Sequence, residues 1–346
     1  MHFKADQHDT PEYIRLPETP ASSFTLPDDL GKVVAQFPFR ITPYFLSLIK
    51  TPDSPLARQA IPDKRELQGS LDALDPLSEE DQSPVENLVH RYPDRVLFLV
   101  SDQCAMYCRY CMRKRMAKQP FRVTEKTISE GLAYIRKTPA IREVLLSGGD
   151  PLMLTDRALS RIFGKIREIP HVEVIRIHTR IPCTLPDRIN GDLAGMLKKF
   201  HPLFINIQFN HPDEITQASG AACGTLADAG IALGSQSVLL KGVNDDPDIL
   251  QKLFTGLLKI RVKPYYLHHP DVVKGTGHFR ISISEGLKIL KSLQGHISGM
   301  AIPHYMIDLP GGGGKIPLVP EYVTHTQTGI LKVKSFNGRI YEYPAD

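Results

Sequence analysis

The chain has 346 residues, of which 42% are hydrophobic and 23% are charged, as is ordinary for a folded globular protein. This length allows either one large α/β domain or two domains of average size. The net charge of +4 arises from interspersed Lys and Arg without a basic block, so the charge pattern does not indicate nucleic-acid binding.

Neither a targeting signal nor a disulfide framework is evident in the sequence. The N-terminus lacks an apolar signal segment, and the longest apolar run, residues 96–100, is too short to cross a membrane. The five cysteines are an odd number and three of them lie within eight residues, which is atypical of a secreted protein. We therefore expect a cytoplasmic protein that binds no membrane and uses its clustered cysteines for a metal or for redox chemistry.

Residues 1–90 are rich in Pro and acidic residues and are predicted to form a helical N-terminal extension. The segment ITPYFLSLI predicts a helix that begins at Thr42 and Pro43, because Thr is a favoured N-cap and Pro is favoured in the first turn. Two Pro-rich stretches, residues 16–30 and 71–84, lie on either side of this helix.

From residue 91 to about residue 300, short β-rich runs alternate with amphipathic segments of helical period. Seven runs predict strands, at residues 96–100, 143–147, 172–179, 203–209, 232–240, 262–269 and 302–308. Helices are predicted between them, for example at residues 156–169, 248–260 and 284–294. Strands that alternate with helices imply a parallel sheet, either open or closed into a barrel.

Chemically suggestive residues follow the predicted strands. The clustered cysteines follow the first strand, SGGDP the second, HTR the third, and DLPGGGGK the last. Because the carboxyl ends of parallel strands share one edge of the sheet, and that edge builds the active site in α/β folds, we expect a single site there.

The C-terminal tail predicts a separate β element. Two alternating runs surround Asn337 and Gly338, a pair that indicates a β-hairpin with a type I′ turn, which we expect to cover the domain. We divide the chain into the N-terminal extension (1–90), the α/β region (91–300) and a C-terminal segment that contains PGGGGK and the hairpin (301–346).

Cys104, Cys108 and Cys111 in CAMYCRYC have the spacing C-x₃-C-x₂-C. Structural zinc sites and electron-transfer iron–sulfur clusters usually take four protein ligands, but Cys183 and Cys223 are isolated in the sequence. Three cysteines would hold a [4Fe–4S] cluster at three irons and leave the fourth open to a ligand, which indicates chemistry at the cluster. The alternatives are that the thiols are structural, or that a distant residue completes a zinc site.

Two glycine-rich segments are candidate ligand-binding loops. In SGGDP, Gly148 and Gly149 would let the backbone approach a ligand and Asp150 could accept hydrogen bonds from an ammonium group; an ordinary tight turn is the alternative. In PGGGGK the phosphate-loop pattern fails, because Ile316 stands where Ser or Thr would bind magnesium. The segment suits either a lysine, Lys315, presented on a flexible loop to form a Schiff base with pyridoxal 5′-phosphate (PLP), or a mobile surface loop.

The cysteine spacing resembles that of the radical S-adenosylmethionine (SAM) superfamily, in which SAM binds the open iron and its reductive cleavage yields a 5′-deoxyadenosyl radical. Longer segments resemble one branch of it, the lysine 2,3-aminomutase family. These segments are ITPYFLSL, RYPDRVLFLVSDQCAMYCRYCMRKR, VLLSGGDPL, FNHPDEIT, QSVLLKGVND, KPYYLHHPD, GHFR and DLPGGGGK. The resemblance runs from residue 41 to the C-terminal hairpin and implies a partial (β/α) barrel of the radical SAM type.

The resemblance also implies a role for each matching residue. The cluster ligands would be Cys104, Cys108 and Cys111. The PLP site would comprise Lys315 and, around the phosphate, Arg91, Tyr92 and Arg95. Two guanidinium groups suit a phosphate dianion physically. The SAM site would comprise Ser147, Gly148, Gly149, Asp150 and Gln236.

Three further residues would bind the substrate. Arg113 would pair with the substrate carboxylate, and Asp271 and Asp308 match the two acids that bind the ε-ammonium of lysine in the family. A buried cation needs such counter-charges, whereas the second carboxylate of glutamate would be repelled by them. Either Asp alone could instead cap a helix or turn. The predicted substrate is therefore lysine, or a close diamino acid such as ornithine.

Some positions depart from the family pattern. Gln208 and Tyr110 stand where histidines are expected, near the SAM site and in the cluster loop. Asp246 stands where longer members carry a zinc-binding cysteine, so we expect no zinc, and any homo-oligomer must form by other contacts. His268 and His269 are neighbours on a predicted strand and point to opposite faces, so we do not expect them to form a metal pair.

The predicted activity is the interconversion of L-lysine and L-β-lysine, with a [4Fe–4S] cluster, SAM and PLP as cofactors. An electron donor such as flavodoxin or ferredoxin would be the partner. Related alternatives are a mutase that makes β-lysine for attachment to elongation factor P, or one that acts on ornithine or glutamate. An alternative of a different class is a non-catalytic iron–sulfur or zinc-binding module.

Overall fold

The computed structural model describes Tyr13 and residues 30–68, 72–117, 121–327 and 330–344. Most of the first Pro-rich stretch, residues 16–30, therefore lies outside the described residues. Within these ranges the chain forms a nine-stranded sheet flanked by helices, and a separate three-stranded sheet near the C-terminus.

All seven strands predicted from the sequence are present, as β2 to β8. The large sheet consists of β1 (Leu88–Tyr92), β2 (Arg95–Ser101), β3 (Glu143–Gly148), β4 (Val174–Thr179), β5 (Leu203–Gln208), β6 (Ala232–Val238), β7 (Lys263–His268), β8 (His304–Leu309) and β9 (Gly314–Pro317). Strands β2 to β8 are mutually parallel and adjacent in chain order. This order is that of a (β/α) barrel, not of a doubly wound sheet.

Helices connect the parallel strands, as predicted. The described α-helices are α1 (Gly31–Gln36), α2 (Pro43–Ser47), α3 (Pro55–Ala60), α4 (Glu125–Lys137), α5 (Asp156–Arg167), α6 (Ile181–Thr184), α7 (Gly191–Leu197), α8 (Gln217–Asp228), α9 (Pro247–Lys259) and α10 (Ile283–Leu293). Most begin at a side chain that accepts a backbone hydrogen bond, and for α4, α5, α7, α8, α9 and α10 these caps are Thr124, Thr155, Asn190, Thr216, Asp246 and Ser282.

The side chains of the parallel strands alternate between two environments. On β4, Ile175 and Ile177 are buried in the hydrophobic core, whereas Arg176 and His178 line an internal cavity. The same period of two recurs on β5, where Ile205 and Ile207 are in the core. One face of the sheet therefore packs against the helices, and the other face presents polar groups to the inside of the barrel.

Both edges of the parallel sheet carry an antiparallel strand, which the sequence analysis did not predict. β1 pairs with β2 and places Tyr92 opposite Arg95, and β9 pairs with β8 and places Lys315 opposite Asp308. The two edges then meet, because the backbone N–H of Lys315 donates a hydrogen bond to Tyr92 Oη at 2.8 Å. The predicted partial barrel is confirmed, and a hydrogen bond between its edge strands spans its open side.

The N-terminal extension is helical over only part of its described length. The predicted helix is confirmed as α2, and Thr42 Oγ1 accepts a hydrogen bond from the N–H of Phe45 at 3.1 Å. After α3 and a short 3₁₀ helix (Lys64–Leu67), residues 72–87 form turns, bends and isolated bridges. This non-helical stretch approaches the functional site.

The small C-terminal sheet consists of β10 (Val323–Gln327), β11 (Ile330–Lys334) and β12 (Ile340–Pro344), all antiparallel. The predicted hairpin is confirmed by β11 and β12, and Gly338 adopts a positive φ of 83° in its turn. β10 adds a third strand to it. In the described part of the chain, no helix combines the length and the apolar character needed to cross a bilayer.

Candidate active site

One cavity of about 640 Å³ lies inside the barrel and extends along the parallel strands, from their first residues, such as Arg95 and Glu143, to residues that follow their carboxyl ends. Every residue predicted to bind a cofactor or substrate lines it. They are Arg91, Tyr92, Arg95, Cys104, Cys108, Cys111, Arg113, Ser147, Gly148, Gly149, Asp150, Gln236, Asp271, Asp308 and Lys315. The residues that were expected to form a single site thus line one cavity, and their roles stay predictions.

The cysteine loop is held against the N-terminal extension. The N–H of Arg109 donates to Gln59 O at 2.9 Å, and the Arg109 side chain forms a bidentate ion pair with Glu66. Lys114 Nζ completes this buried cluster, 2.6 Å from Glu66 Oε2. Since Arg109 lies inside the loop and Lys114 lies just after it, the ion pairs fix both parts of the loop to the extension.

The three clustered cysteines are free thiols that are partly exposed to the cavity, whereas Cys183 and Cys223 are buried in the core. Burial raises the pKa of the Cys104 thiol and raises that of Cys111 to about 11. Thiols in this state lose their protons on binding a metal.

The donor set fits a polynuclear cluster. Within the described ranges, no three His, Cys, Asp or Glu side chains are placed to ligate a single metal ion. Three thiols that line one cavity are the ligand type of a [4Fe–4S] cluster, in which each cysteine binds a different iron. The donors at the cysteine loop therefore match the predicted cofactor.

A buried arginine that follows β4, two strands away from β2 in the sheet, contacts this loop. Arg180 follows β4, and its Nη1 donates to Cys108 Sγ at 2.8 Å. Its Nη2 donates to Glu214 Oε1 at 2.7 Å and to Gln59 Oε1 at 2.8 Å. The charge of this guanidinium is thus balanced by Glu214, and one of its donors serves a predicted cluster ligand.

The SGGDP turn packs against the chain that leads into the cysteine loop. The N–H of Gly149 donates to Ser101 O and that of Asp150 donates to Gln103 O, both at 2.6 Å. A Cβ on Gly148 or Gly149 would lie 2.1 or 2.3 Å from these two carbonyl oxygens. The glycines are therefore required by the contact between two backbone segments.

Asp150 has a structural role in this turn. Its carboxylate accepts hydrogen bonds from Thr179 Oγ1 at 2.8 Å and 2.9 Å, from Arg180 N at 2.7 Å and from Leu152 N at 3.0 Å. Burial raises the pKa of Asp150 to about 6, although these bonds act in the opposite direction. The residue joins the ends of β3 and β4, and its predicted contact with SAM stays a prediction.

Two glutamines on adjacent strands are available to a ligand. Gln208 on β5 and Gln236 on β6 are paired in register and both line the cavity. Their side-chain amides make no protein hydrogen bond within the part of the chain that is described. Gln208 departs from the family pattern. Tyr110, which also departs from it, packs edge-on against Phe279, with ring centroids 6.1 Å apart.

Lys315 is part of a strand, not of the flexible loop that the sequence suggested. The PGGGG segment makes the turn between β8 and β9, with positive φ angles at Gly311 and Gly312. Because directly opposed residues of an antiparallel pair project on the same side, the register places Lys315 beside Asp308, and the two form an ion pair.

The two predicted substrate-binding acids, Asp308 and Asp271, line the end of the cavity that contains Lys315. Asp308 Oδ2 pairs with Lys315, but the buried Oδ1 lacks a hydrogen-bond partner among the described residues and lies 3.8 Å from Arg91 Nη1. Burial, followed by the charge of Asp308, raises the pKa of Asp271 to about 7. Both features favour the binding of a further cation here.

The predicted phosphate-binding residues lie on β1 and β2, the strands at the opposite side of the sheet from β8 and β9. The guanidinium of Arg95 stacks over the Tyr92 ring at 3.8 Å from its centroid, and Tyr92 in turn contacts the backbone of Lys315. Arg91 is fixed by Gln82 Oε1 at 2.7 Å and is next to Asp308. Two cations and a phenol beside a lysine are a donor set that fits PLP.

Arg113 is held by a residue that the sequence analysis did not assign to the site. Its Nε and Nη2 donate to the two carboxylate oxygens of Glu79 at 2.9 and 2.6 Å. Glu79 belongs to the N-terminal extension, where no strand or motif marks it. Arg180 was detectable in principle, because the segment HTR follows a predicted strand.

The adjacent histidines have different partners. His268 Nδ1 lies 3.7 Å from Asp308 Oδ2, and His269 Nδ1 is 2.8 Å from Tyr305 Oη. Asp246, at the position where longer family members carry a cysteine, caps α9 by accepting hydrogen bonds from the N–H groups of Asp248 and Ile249.

Comparison with known proteins identifies the family of the chain. The family model described as lysine-2,3-aminomutase matches residues 290–346, and that of the radical SAM superfamily matches residues 98–253. L-lysine 2,3-aminomutase of Acetoanaerobium sticklandii is 50% identical over 88% of this chain and 74% of its own length. The Clostridium subterminale enzyme of that name is 48% identical over 91% of this chain and 77% of its own.

A relative with a different name is nearly as similar. Glutamate 2,3-aminomutase of Clostridioides difficile is 45% identical over 90% of this chain and 74% of its own length. The relatives are enzymes, which favours the catalytic interpretation over a non-catalytic metal-binding module. The chain is therefore a member of the lysine 2,3-aminomutase family, within the radical SAM superfamily.

Proposed function

We propose that this protein interconverts L-lysine and L-β-lysine, with a [4Fe–4S] cluster, SAM and PLP as cofactors and a donor such as flavodoxin or ferredoxin as the source of electrons. When bound, the cofactors supply a carbon radical that removes a substrate hydrogen and an imine through which the amino group migrates. The proposal includes the division of the chain into an N-terminal extension (1–90), an α/β region (91–300) and a C-terminal segment (301–346).

The two ends of the cavity, at the cysteine loop and at Lys315, would bind different cofactors. Cys104, Cys108 and Cys111 would hold the cluster, and the SGGDP turn and Gln236 would hold SAM beside it. Lys315 would hold PLP, with Arg91, Tyr92 and Arg95 at the phosphate. The barrel walls between the two ends would exclude water from the reacting atoms.

The observation that carries the choice of substrate is the pair of acids, Asp271 and Asp308. An ε-ammonium group would replace Lys315 as the partner of Asp308 and would neutralise Asp271, which burial leaves with a raised pKa. The side-chain carboxylate of glutamate would face two acids at the same place and would be repelled. L-Lysine is therefore favoured over L-glutamate despite the similarity to the glutamate enzyme.

The test is turnover by anaerobically reconstituted, reduced protein supplied with SAM and PLP. L-Lysine should yield β-lysine with a higher kcat/KM than L-ornithine or L-glutamate, measured by chromatography of the products. Lys315→Ala should abolish turnover, whereas Lys288→Ala, on the exposed side of α10, should retain it. Turnover by Lys315→Ala at the wild-type rate would disprove the scheme, and a preference for glutamate would reassign the substrate.

A further inference from the structure

The non-helical stretch of the N-terminal extension forms part of the candidate site. Residues 75–83, which we call the acidic segment, contact two of its elements. Gln82 Oε1 accepts a hydrogen bond from Arg91 Nε at 2.7 Å, and Pro76 O accepts one from the N–H of Gly311 at 3.2 Å. The segment thus bridges the predicted phosphate-binding arginine and the turn that precedes Lys315.

Glu79 is the residue of the acidic segment whose charge is most enclosed. It lines the cavity, is only 4% exposed, and binds Arg113 through both carboxylate oxygens. Arg115 Nη2 lies 3.8 Å from its Oε2 on another side. Burial acts to raise the pKa of Glu79, but Arg113 and then Arg115 lower it below its ordinary value. Glu79 is therefore an anion held between two cations.

This contact determines which donors of Arg113 remain available. A guanidinium group is planar and has five N–H donors, so a bidentate carboxylate on one edge fixes the whole plane. Glu79 occupies the edge formed by Nε and Nη2. In the described residues, Nη1 has no hydrogen-bond partner, and Arg113 lines the cavity.

We propose that Glu79 is a positioning residue that holds Arg113 so that its free Nη1 side receives the α-carboxylate of the amino-acid substrate. This inference rests on the proposed function, in which Arg113 binds that carboxylate. Glu79 itself would not leave the arginine during binding, because Arg115 and the buried position hold it from a second side. The alternative, that Glu79 competes with the substrate for Arg113, predicts instead that Glu79→Gln binds L-lysine more tightly.

The change Glu79→Gln keeps the size of the side chain but removes the charge and one of the two acceptors. Arg113 would regain rotational freedom, and the dissociation constant of L-lysine should rise by at least about tenfold, as for loss of a charge-assisted contact. L-Lysinamide lacks the α-carboxylate, so its binding should change little. The preference for L-lysine over L-lysinamide should therefore fall by about the same factor.

The experiment is calorimetric titration of the cluster- and PLP-loaded protein, without reductant, with L-lysine and L-lysinamide. Wild type, Glu79→Gln, Arg113→Gln and the double variant form a cycle. Glu79→Gln should weaken L-lysine binding in the wild-type background and have no further effect when Arg113 is absent. Glu80→Gln, which removes the same charge from the adjacent and largely exposed residue, is the matched control.

Several outcomes would overturn the inference. One is tighter binding of L-lysine by Glu79→Gln. Another is that the effects of Glu79→Gln and Arg113→Gln on L-lysine binding are independent in the double variant. A third is that Glu79→Gln weakens the binding of L-lysine and L-lysinamide equally. If Glu79→Gln loses iron or no longer shows a cooperative unfolding transition, Glu79→Asp replaces it, because Asp keeps the charge on a shorter side chain. Glu79→Asp should weaken L-lysine binding to an intermediate extent. An unchanged affinity for L-lysine in Glu79→Asp would also overturn the inference.

The test separates this inference from the proposed function. Failure of the wild-type protein to form β-lysine would refute the proposed function alone, and the cycle would then use whichever of L-lysine, L-ornithine or L-glutamate binds. Positioning of Arg113 would still be judged by the cycle, because each of these amino acids has an α-carboxylate. If none of the three binds, the inference is overturned as well.

Discussion

Two glycines in the glycine-rich turns of the site are required for different reasons. In SGGDP, a Cβ on Gly149 would lie 2.3 Å from Gln103 O, so packing leaves no room for it. In PGGGG, a Cβ on Gly311 would meet nothing within 4 Å, and the residue is required for its positive φ of 65°. Gly149 thus meets a packing constraint, and Gly311 meets a backbone constraint.

The difference extends to the two ends of the cavity that these turns support. Near the cysteines, the Asp150 carboxylate accepts hydrogen bonds only from groups of the protein itself, and the buried atoms without a partner, such as Arg180 Nε and Tyr110 Oη, are N–H or O–H groups. Near Lys315, Asp308 retains a buried oxygen without a hydrogen bond, and Asp271 has a raised pKa. Carboxylate oxygens thus remain available to an additional cation near Lys315, whereas the Asp150 carboxylate is fully used by the protein.

The largest effect should come from Gly149→Ala, which tests the packing constraint. The added methyl would overlap Gln103 O, so the turn and the residues that lead into the cysteine loop must separate. We expect the variant to lose most of its iron and its turnover, with the free energy of unfolding lowered by about 2 kcal/mol. Iron quantitation measures the iron content, and chemical denaturation measures the free energy of unfolding. Wild-type iron content would show that the close contact is not essential.

A smaller effect, confined to substrate binding, should come from Asp271→Asn at the lysine end. The substrate ammonium would lose one of two counter-charges, and KM for L-lysine should rise by about 100-fold. In the wild-type protein kcat/KM should increase as the pH rises through about 7, because Asp271 must be ionised to pair with the ammonium. The variant should lose this increase.

Steady-state assays across this pH range check the prediction for Asp271. Asp228→Asn, which removes an exposed partner of Arg261, is the control and should keep the wild-type profile. An unchanged KM in Asp271→Asn would mean that this carboxylate does not bind the substrate.

The smallest effect should come from Gly311→Ala, which tests the backbone constraint. A non-glycine residue at this φ should lower the free energy of unfolding by about 1 kcal/mol, and nothing nearby would obstruct the methyl group. Iron content, PLP absorbance and turnover should therefore be retained. A loss of turnover as large as that of Gly149→Ala would contradict the distinction between the two glycines.

Much of the barrel and of the site was predictable, because local sequence patterns encode both. The seven parallel strands followed from β-rich runs, and α2 and the C-terminal hairpin followed from Thr42-Pro43 and Asn337-Gly338. The candidate ligands followed from their positions after strands and from the resemblance to a family. Lys315 was predicted on a flexible loop and instead lies on a strand, since four glycines carry no signal for the strand that follows them.

By itself the sequence determined the alternation of strands and helices, the C-x₃-C-x₂-C donor set and the presence of Lys315, Asp271 and Asp308 as candidates for one site. Only the tertiary structure decided that β1 and β9 flank the parallel strands, that Lys315 faces Asp308, and that Glu79 holds Arg113. The physical reason is range. Caps, periods and turns act over a few residues, whereas the contact between Glu79 and Arg113 joins residues 34 positions apart, and the other features depend on strand pairing and register that only the assembled sheet fixes.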